Sequence, residues 1–122
     1  GAIAAGVHVA LAVEADPNAT ATYSHNHKKT TVLGKRVEQI NKKTLESVKR
    51  GKDGTIIFGG PPCQGFSYSN QKTRKLDNPN NWLFTEFLRV VKLWHPDWVV
   101  FENVRGITDT EGDLLRASHR RP

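Results

Sequence analysis

The sequence predicts an α/β fold, a mostly parallel sheet with flanking helices, and three observations predict it. Short apolar runs alternate along the chain with amphipathic segments of helical period, the pattern of parallel strands joined by crossover helices. Those runs close on residues able to do chemistry, as expected where ligands gather at the carboxyl edge of a parallel sheet. With 122 residues, 37% of them hydrophobic and 25% charged, the chain has the size and balance of one small domain with a modest core.

Taken in order, Val7-His-Val-Ala-Leu-Ala-Val13 is an apolar run that ends in Glu14-Ala15-Asp16-Pro17 and reads as a buried strand. Asn18 then caps a predicted helix through Ala19, Ala21 and Tyr23. Residues 28–52 carry nine Lys/Arg opposed only by Glu38 and Glu46; this polar stretch predicts a weak strand near Val32–Val37 and a helix near Lys43–Lys49. Thr55-Ile-Ile-Phe58 is a short strand running into Gly59-Gly-Pro-Pro-Cys63, where Gly and Pro stop regular structure. Gln64 to Asn81 reads as a polar loop. Trp82 to Trp94 is the strongest helix, with Leu83, Phe87, Val91 and Trp94 on one face, and Pro96 ends it. Trp98-Val-Val-Phe101 is a further buried strand that closes on Glu102-Asn103. No repeat, linker or low-complexity stretch interrupts this order.

Composition excludes several classes. The chain is too apolar for a disordered tail and too polar for a membrane protein. No stretch approaches the ~18–20 unbroken apolar residues of a spanning helix, and no basic region opens a secretory signal before Gly1-Ala-Ile-Ala-Ala-Gly6. The absence of Met and the abrupt Gly1 are the expected marks of a piece of something longer. One Cys cannot form an internal disulfide or a Cys-based zinc site, so Cys63 is either inert filler or a reactive thiol.

At a random position a free Cys is more often inert. Here two glycines that permit a sharp turn or close ligand approach, followed by two stiffening prolines, favour an exposed thiol. Positive charge nearby favours its thiolate. A carboxyl group at Glu102, beside so much apolar sequence, is suited to donate a proton near neutral pH unless paired. The ordinary reading is an exposed strand end; sharing an edge with Cys63 favours function. Glu14 ends the first strand, where acidic residues of nucleotide-binding α/β folds take ribose hydroxyls. His25 and His27 alternate but lack a third ligand, so a solvated helix end is expected and no metal site. The net charge of +6, concentrated in residues 28–52, fits either a solvated face or phosphate contacts.

The run Gly59-Gly-Pro-Pro-Cys-Gln-Gly-Phe-Ser67, with Phe101-Glu-Asn-Val104 downstream, closely resembles two catalytic signatures of the DNA cytosine-5 methyltransferase family. Glu14-Ala-Asp16 with the segment at 23–26, and Asn81-Trp-Leu-Phe84 at the head of a helix, add weaker matches. The resemblance covers nearly the whole chain. It implies a partial Rossmann-like S-adenosylmethionine-dependent methyltransferase domain over residues 1–122. It also implies methyl transfer from S-adenosylmethionine to carbon 5 of cytosine in DNA. Cys63 would add to carbon 6 of a flipped-out base, Glu102 would hold or protonate nitrogen 3, and Asn103 would fix the site. By the same resemblance Glu14 and Ala15 border the cofactor, Pro62 and Leu83 line its pocket, and Gln64 and Ser67 contact DNA. A restriction endonuclease would be a cellular partner, and the location cytoplasmic, or nuclear in a eukaryote.

The sequence also departs from the family pattern. The glycine-rich cofactor loop would precede Gly1, Ala15 replaces an aromatic residue, and an acidic adenine contact falls near Lys35-Arg36. Nothing after Arg105 matches the later basic motif, the target-recognition region or the C-terminal cofactor segment, and residues 114–122 read as unrelated or incomplete tail. The 122 residues alone are therefore expected to be inactive or very weak. Two alternatives stand beside DNA methylation: a tRNA cytosine-5 methyltransferase of the same family, and an inactive fragment acting as a basic nucleic-acid-binding module.

Overall fold

The structure, a computed structural model, describes residues 1–62 and 82–102. The chain divides into two compact units, Gly1–Lys52 and Asp53–Pro122, each described by itself below.

The first unit opens on a short 3-10 turn, Ile3–Ala5, closed by Gly6 in the left-handed region (φ 82°). Strand β1 spans Leu11–Glu14, helix α1 Pro17–Asn26 and strand β2 Thr31–Gly34. The strands pair in parallel, Leu11 opposite Thr31 through Glu14 opposite Gly34, so α1 is the crossover that a parallel pair requires. The strand begins later than the apolar run suggested: residues 7–10 lie outside it.

The cap of helix α1 lies two residues before the expected Asn18. Asp16 is extended (φ −76°, ψ 124°), its Oδ1 accepts from the Ala19 N–H at 2.7 Å, and Pro17 takes the first helical position. Proline has no N–H to leave unsatisfied there and its φ is already helical, so Asp-Pro outcompetes Asn18 as a start signal. The half-buried residues of α1 and its C-cap are Thr20, Tyr23, Ser24 and His27, a three–four–seven spacing, whereas Ala19 and Ala21 are exposed. His27 closes the helix, its N–H donating to the Tyr23 carbonyl at 2.9 Å and its ring 4.3 Å from that of Tyr23.

Beyond β2 the chain turns at once, and Val37 belongs to a 3-10 turn, Val37–Gln39, not to the strand. Helix α2 is shorter than expected, Lys42–Glu46. Asn41 caps it through Oδ1 and the Thr44 N–H (3.0 Å), and the Ser47 hydroxyl donates to the Thr44 carbonyl at 2.6 Å, a side-chain bond that competes with further winding. Ile40 and Leu45 are the buried apolar residues of this unit.

The second unit contains strand β3 (Ile56–Gly59), helix α3 (Trp82–Trp94) and strand β4 (Trp98–Phe101). Helix α3 and β4 have the bounds the sequence predicts. The helix stops where His95 enters the left-handed region (φ 50°) ahead of Pro96. β3 and β4 are parallel, Ile56 opposite Trp98 and Gly59 opposite Phe101.

This strand pair is one-sided, a correction to the buried strand expected at 98–101. Ile57, Gly59, Val99 and Phe101 are half-buried, while Phe58 and Trp98 are 71% and 68% exposed. The inner face meets α3: Phe101 packs edge-on against buried Phe84 at 5.4 Å and tilted against Phe87 at 5.5 Å. Phe84, absent from the helix face proposed from periodicity, is the most buried residue of α3.

The opposite end of the pair is closed by a side-chain clip. Thr55 is buried; its N–H and hydroxyl both donate to Asp97 Oδ2 at 2.8 Å, and its hydroxyl accepts from the Asp97 N–H at 3.1 Å. The Trp98 N–H donates to the Thr55 carbonyl at 3.0 Å, so the clip sets the register of the ladder that follows. Replacing Thr55 by valine keeps the volume and removes the two hydroxyl bonds to Asp97 while the Thr55 N–H bond stays, which costs about 1–3 kcal/mol. The expected result is a lower urea midpoint with an unchanged m-value; an unchanged midpoint would show the clip to be dispensable.

Candidate functional site

Glu102 follows β4 directly. Its N–H donates to the Gly59 carbonyl at 3.0 Å, extending the parallel ladder by one bond past the strand and fixing the Glu102 backbone at the carboxyl edge of the β3–β4 pair. From there its side chain reaches across to the neighbouring strand's exit. A Cβ built on Gly60 would lie 3.0 Å from Glu102 Oε2 and 3.6 Å from the Glu102 carbonyl oxygen. The carboxylate thus rests against Gly60, which brings the described parts of the two sequence signatures together in space. Glu102 is exposed, so the apolar strand it follows does not enclose it.

The two glycines of the lead-in have different physical reasons, neither of them a left-handed backbone, since Gly6 and Gly54 hold the positive-φ glycine conformations among the described residues. Gly59 is filled by its neighbour: a Cβ there would lie 2.6 Å from the Phe87 ring. Gly60 leaves room for the Glu102 carboxylate. Both explanations differ from a sharp turn, the first of the two readings, turn or close ligand approach, that the sequence offered. Pro62 is exposed and Leu83, in the first turn of α3, is half-buried. Cys63, Gln64, Ser67 and Asn103 lie outside the described residues, as does the loop expected at 64–81.

In the first unit, Glu14 is the last residue of β1 and lies opposite Gly34. Its Oε1 accepts from the Asp16 N–H at 2.9 Å, which orients the carboxylate at the carboxyl edge of this pair. An exposed carboxylate held by one oxygen, with the second making no hydrogen bond among the described residues, suits the hydroxyls of a ribose. Ala15 beside it is exposed. Thr20 was not singled out by sequence reasoning: its hydroxyl donates to the Glu14 carbonyl at 3.1 Å and its methyl lies against Gly34, tying α1 to the ends of both strands. The signal was available in the Asp-Pro start, which places residue 20 on the first inward turn of the helix.

All nine cations of residues 28–52 are exposed. The two acids of the stretch are paired within it, Glu38 with Arg36 at 2.6 Å and Glu46 with Lys42 at 3.7 Å, surface pairs that contribute little to stability. His25 stands exposed in the last turn of α1. No helix among the described residues is long and apolar enough to cross a membrane.

Comparison with known proteins supplies the family. The family model described as C-5 cytosine-specific DNA methylase matches residues 1–117, including the stretch 106–117 that carries no recognised motif. The chain is 41% identical over 103 residues to type II methyltransferase M.DdeI of Desulfomicrobium norvegicum, covering 84% of this chain and 24% of that protein. It is 40% identical over 114 residues to type II methyltransferase M1.HphI of Haemophilus parahaemolyticus, covering 93% of this chain and 31% of that protein. Among solved structures, an E. coli prophage protein assigned as a DNA modification methyltransferase superposes with a TM-score of 0.68 at 31% identity, over 95% of this chain and 31% of that one. A Spodoptera frugiperda DNMT2 mutant shares the fold, with a TM-score of 0.59 at 23% identity, over 92% of this chain and 32% of that one. The chain spans about a quarter to a third of the length of these relatives. Its parallel strands, its flanking helices and the matched sequence agree: the chain belongs to the C-5 cytosine-specific DNA methylase family.

Proposed function

We propose that this chain supplies the catalytic part of an enzyme that methylates carbon 5 of cytosine in DNA, with S-adenosylmethionine as methyl donor. The observation that supports this most is the placement of Glu102 against the lead-in to Cys63, in a chain of this family.

Carbon 5 of cytosine is a poor nucleophile. In the proposed reaction the Cys63 thiolate forms a bond to carbon 6, and the electron pair of the 5,6 double bond moves into the ring. Glu102 supplies a proton at ring nitrogen 3, so that the pair is held as a neutral enamine with a nucleophilic carbon 5. When bound, S-adenosylmethionine provides an electrophilic methyl group and leaves as its demethylated product. Loss of the carbon 5 proton to a base then restores the double bond and expels the Cys63 thiolate, while nitrogen 3 returns its proton to the Glu102 carboxylate.

These ring atoms are stacked inside duplex DNA, so the reading includes extrusion of the target base. Asn103 steadies the site, and Gln64 and Ser67 contact the DNA. Glu14 takes the ribose hydroxyls of the cofactor, with Ala15, Pro62 and Leu83 as its apolar neighbours. The exposed cations of residues 28–52 add attraction for phosphates. Relatives named as type II methyltransferases make a restriction endonuclease the natural cellular partner.

The test uses the natural full-length protein that contains these 122 residues, with methyl-labelled S-adenosylmethionine offered to duplex DNA and to tRNA. Label is expected in 5-methylcytosine of the DNA. Label confined to tRNA would transfer the assignment to the RNA-modifying branch, and label in neither would leave only the binding module.

A further inference from the structure

Gly60 has no conformational reason to be glycine, because its backbone is outside the left-handed region. Its reason is spatial, and the three nearest atoms belong to one residue. The nearest atoms to a Cβ at this position are Glu102 Oε2 at 3.0 Å, the Glu102 carbonyl oxygen at 3.6 Å and Glu102 Cβ at 3.7 Å. We propose that Gly60 is a positioning residue: the bare backbone at 60 forms the seat of the Glu102 carboxylate and sets where its reactive oxygen stands at the edge of the β3–β4 pair.

The two anchors of this seat are rigid and the seated group is not. Glu102 is tied through its N–H to the Gly59 carbonyl, and Gly59 is pressed by the Phe87 ring, which itself packs on Phe101. Pro61 and Pro62 restrict the backbone immediately beyond. The carboxylate, by contrast, is the far end of a flexible side chain on an exposed residue. An added methyl at 60 therefore pushes the carboxylate aside by a few tenths of an ångström and leaves the strands in place. The neighbouring glycine is the opposite case, since a methyl at 59 would run into a packed ring.

This inference rests on the reading of Glu102 as the group that serves ring nitrogen 3. Small displacements of a proton donor are costly in rate, because catalysis depends on near-attack geometry; a misplacement of this size costs about tenfold. In the natural full-length protein, Gly60→Ala is expected to lower kcat about tenfold, with KM for DNA and the thermal midpoint unchanged. In a Glu102→Ala background, which removes the carboxylate that a Cβ at 60 would meet, Gly60→Ala is expected to cost nothing further, both in turnover and in the single-turnover rate of covalent adduct formation.

A wild-type rate for Gly60→Ala overturns the proposal, as does an equal loss in both backgrounds. A drop in thermal midpoint that persists in the Glu102→Ala background also overturns it, by showing Gly60 to be purely structural. If Glu102→Ala alone leaves turnover intact, it is the underlying reading of Glu102 that fails.

Discussion

Replacing Cys63 by serine is expected to eliminate methyl transfer, a loss on the order of 10^4-fold or more, since removing a nucleophile disables every step that follows its attack. The substitution changes one atom. Its force lies in ionisation: a thiol yields its thiolate near neutral pH when positive charge is close, whereas an aliphatic hydroxyl does not. Two measurements separate loss of chemistry from loss of binding. Affinity for duplex DNA should survive, because phosphate contacts do not depend on the thiol. Trapping on 5-fluorocytosine DNA should vanish. With the wild-type thiol, carbon 5 accepts the methyl group but carries fluorine where a proton should leave, so the carbon–sulfur bond persists and can be located on Cys63 in a digested peptide. A serine variant that still forms this adduct, or a wild-type adduct on another residue, would remove Cys63 from the mechanism.

Much of the frame that positions this chemistry is legible one segment at a time. Helix α3 has a strong apolar stripe and a Pro two residues past its end, so its C-terminal bound follows from a local rule. β4 is short and apolar and likewise matches. Where two local signals compete the sequence misleads: Asn18 is a good cap in isolation, but Asp16-Pro17 starts the helix sooner. Likewise Ser47 ends α2 through a bond to the Thr44 carbonyl, which helical propensity does not anticipate.

What a linear reading misses depends on register between distant segments. The Thr55–Asp97 clip and the Gly60–Glu102 contact each join residues far apart in the chain, one at each end of the pairing of Ile56 with Trp98 through Gly59 with Phe101. Slipping that pairing by one residue would turn the Phe101 ring away from α3 and carry Glu102 off Gly60. The glycine pair shows the same limit. From sequence it reads as a turn or a place of close ligand approach, whereas the groups that meet it here are a ring from α3 and a carboxylate from the end of β4. The one-sided exposure of Phe58 and Trp98 is equally invisible in a run such as Trp98-Val-Val-Phe101, because alternation cannot be seen when every residue is apolar.

Glu102→Gln is expected to lower kcat by about 10²–10⁴-fold, the range for loss of a positioned proton donor. Glutamine preserves the length and planarity of the side chain, and the Glu102 backbone stays tied to the Gly59 carbonyl, so the seat over Gly60 remains filled. Only the transferable proton is lost. Addition of the Cys63 sulfur to carbon 6 pushes charge into the ring, and without a proton at nitrogen 3 that charge goes unneutralised; adduct formation on 5-fluorocytosine DNA should therefore slow in step with turnover. Affinity for the duplex and the urea midpoint should stay at wild-type values, because Glu102 is exposed and contributes little burial. Glu102→Asp separates position from chemistry: it keeps a carboxylic acid but withdraws it by one methylene, and should also fall by one to two orders of magnitude on the order of a 1 Å misplacement. If the glutamine variant turns over at the wild-type rate while Cys63→Ser is dead, the thiol adds to the ring unaided and the carboxylate over Gly60 serves only to orient the base.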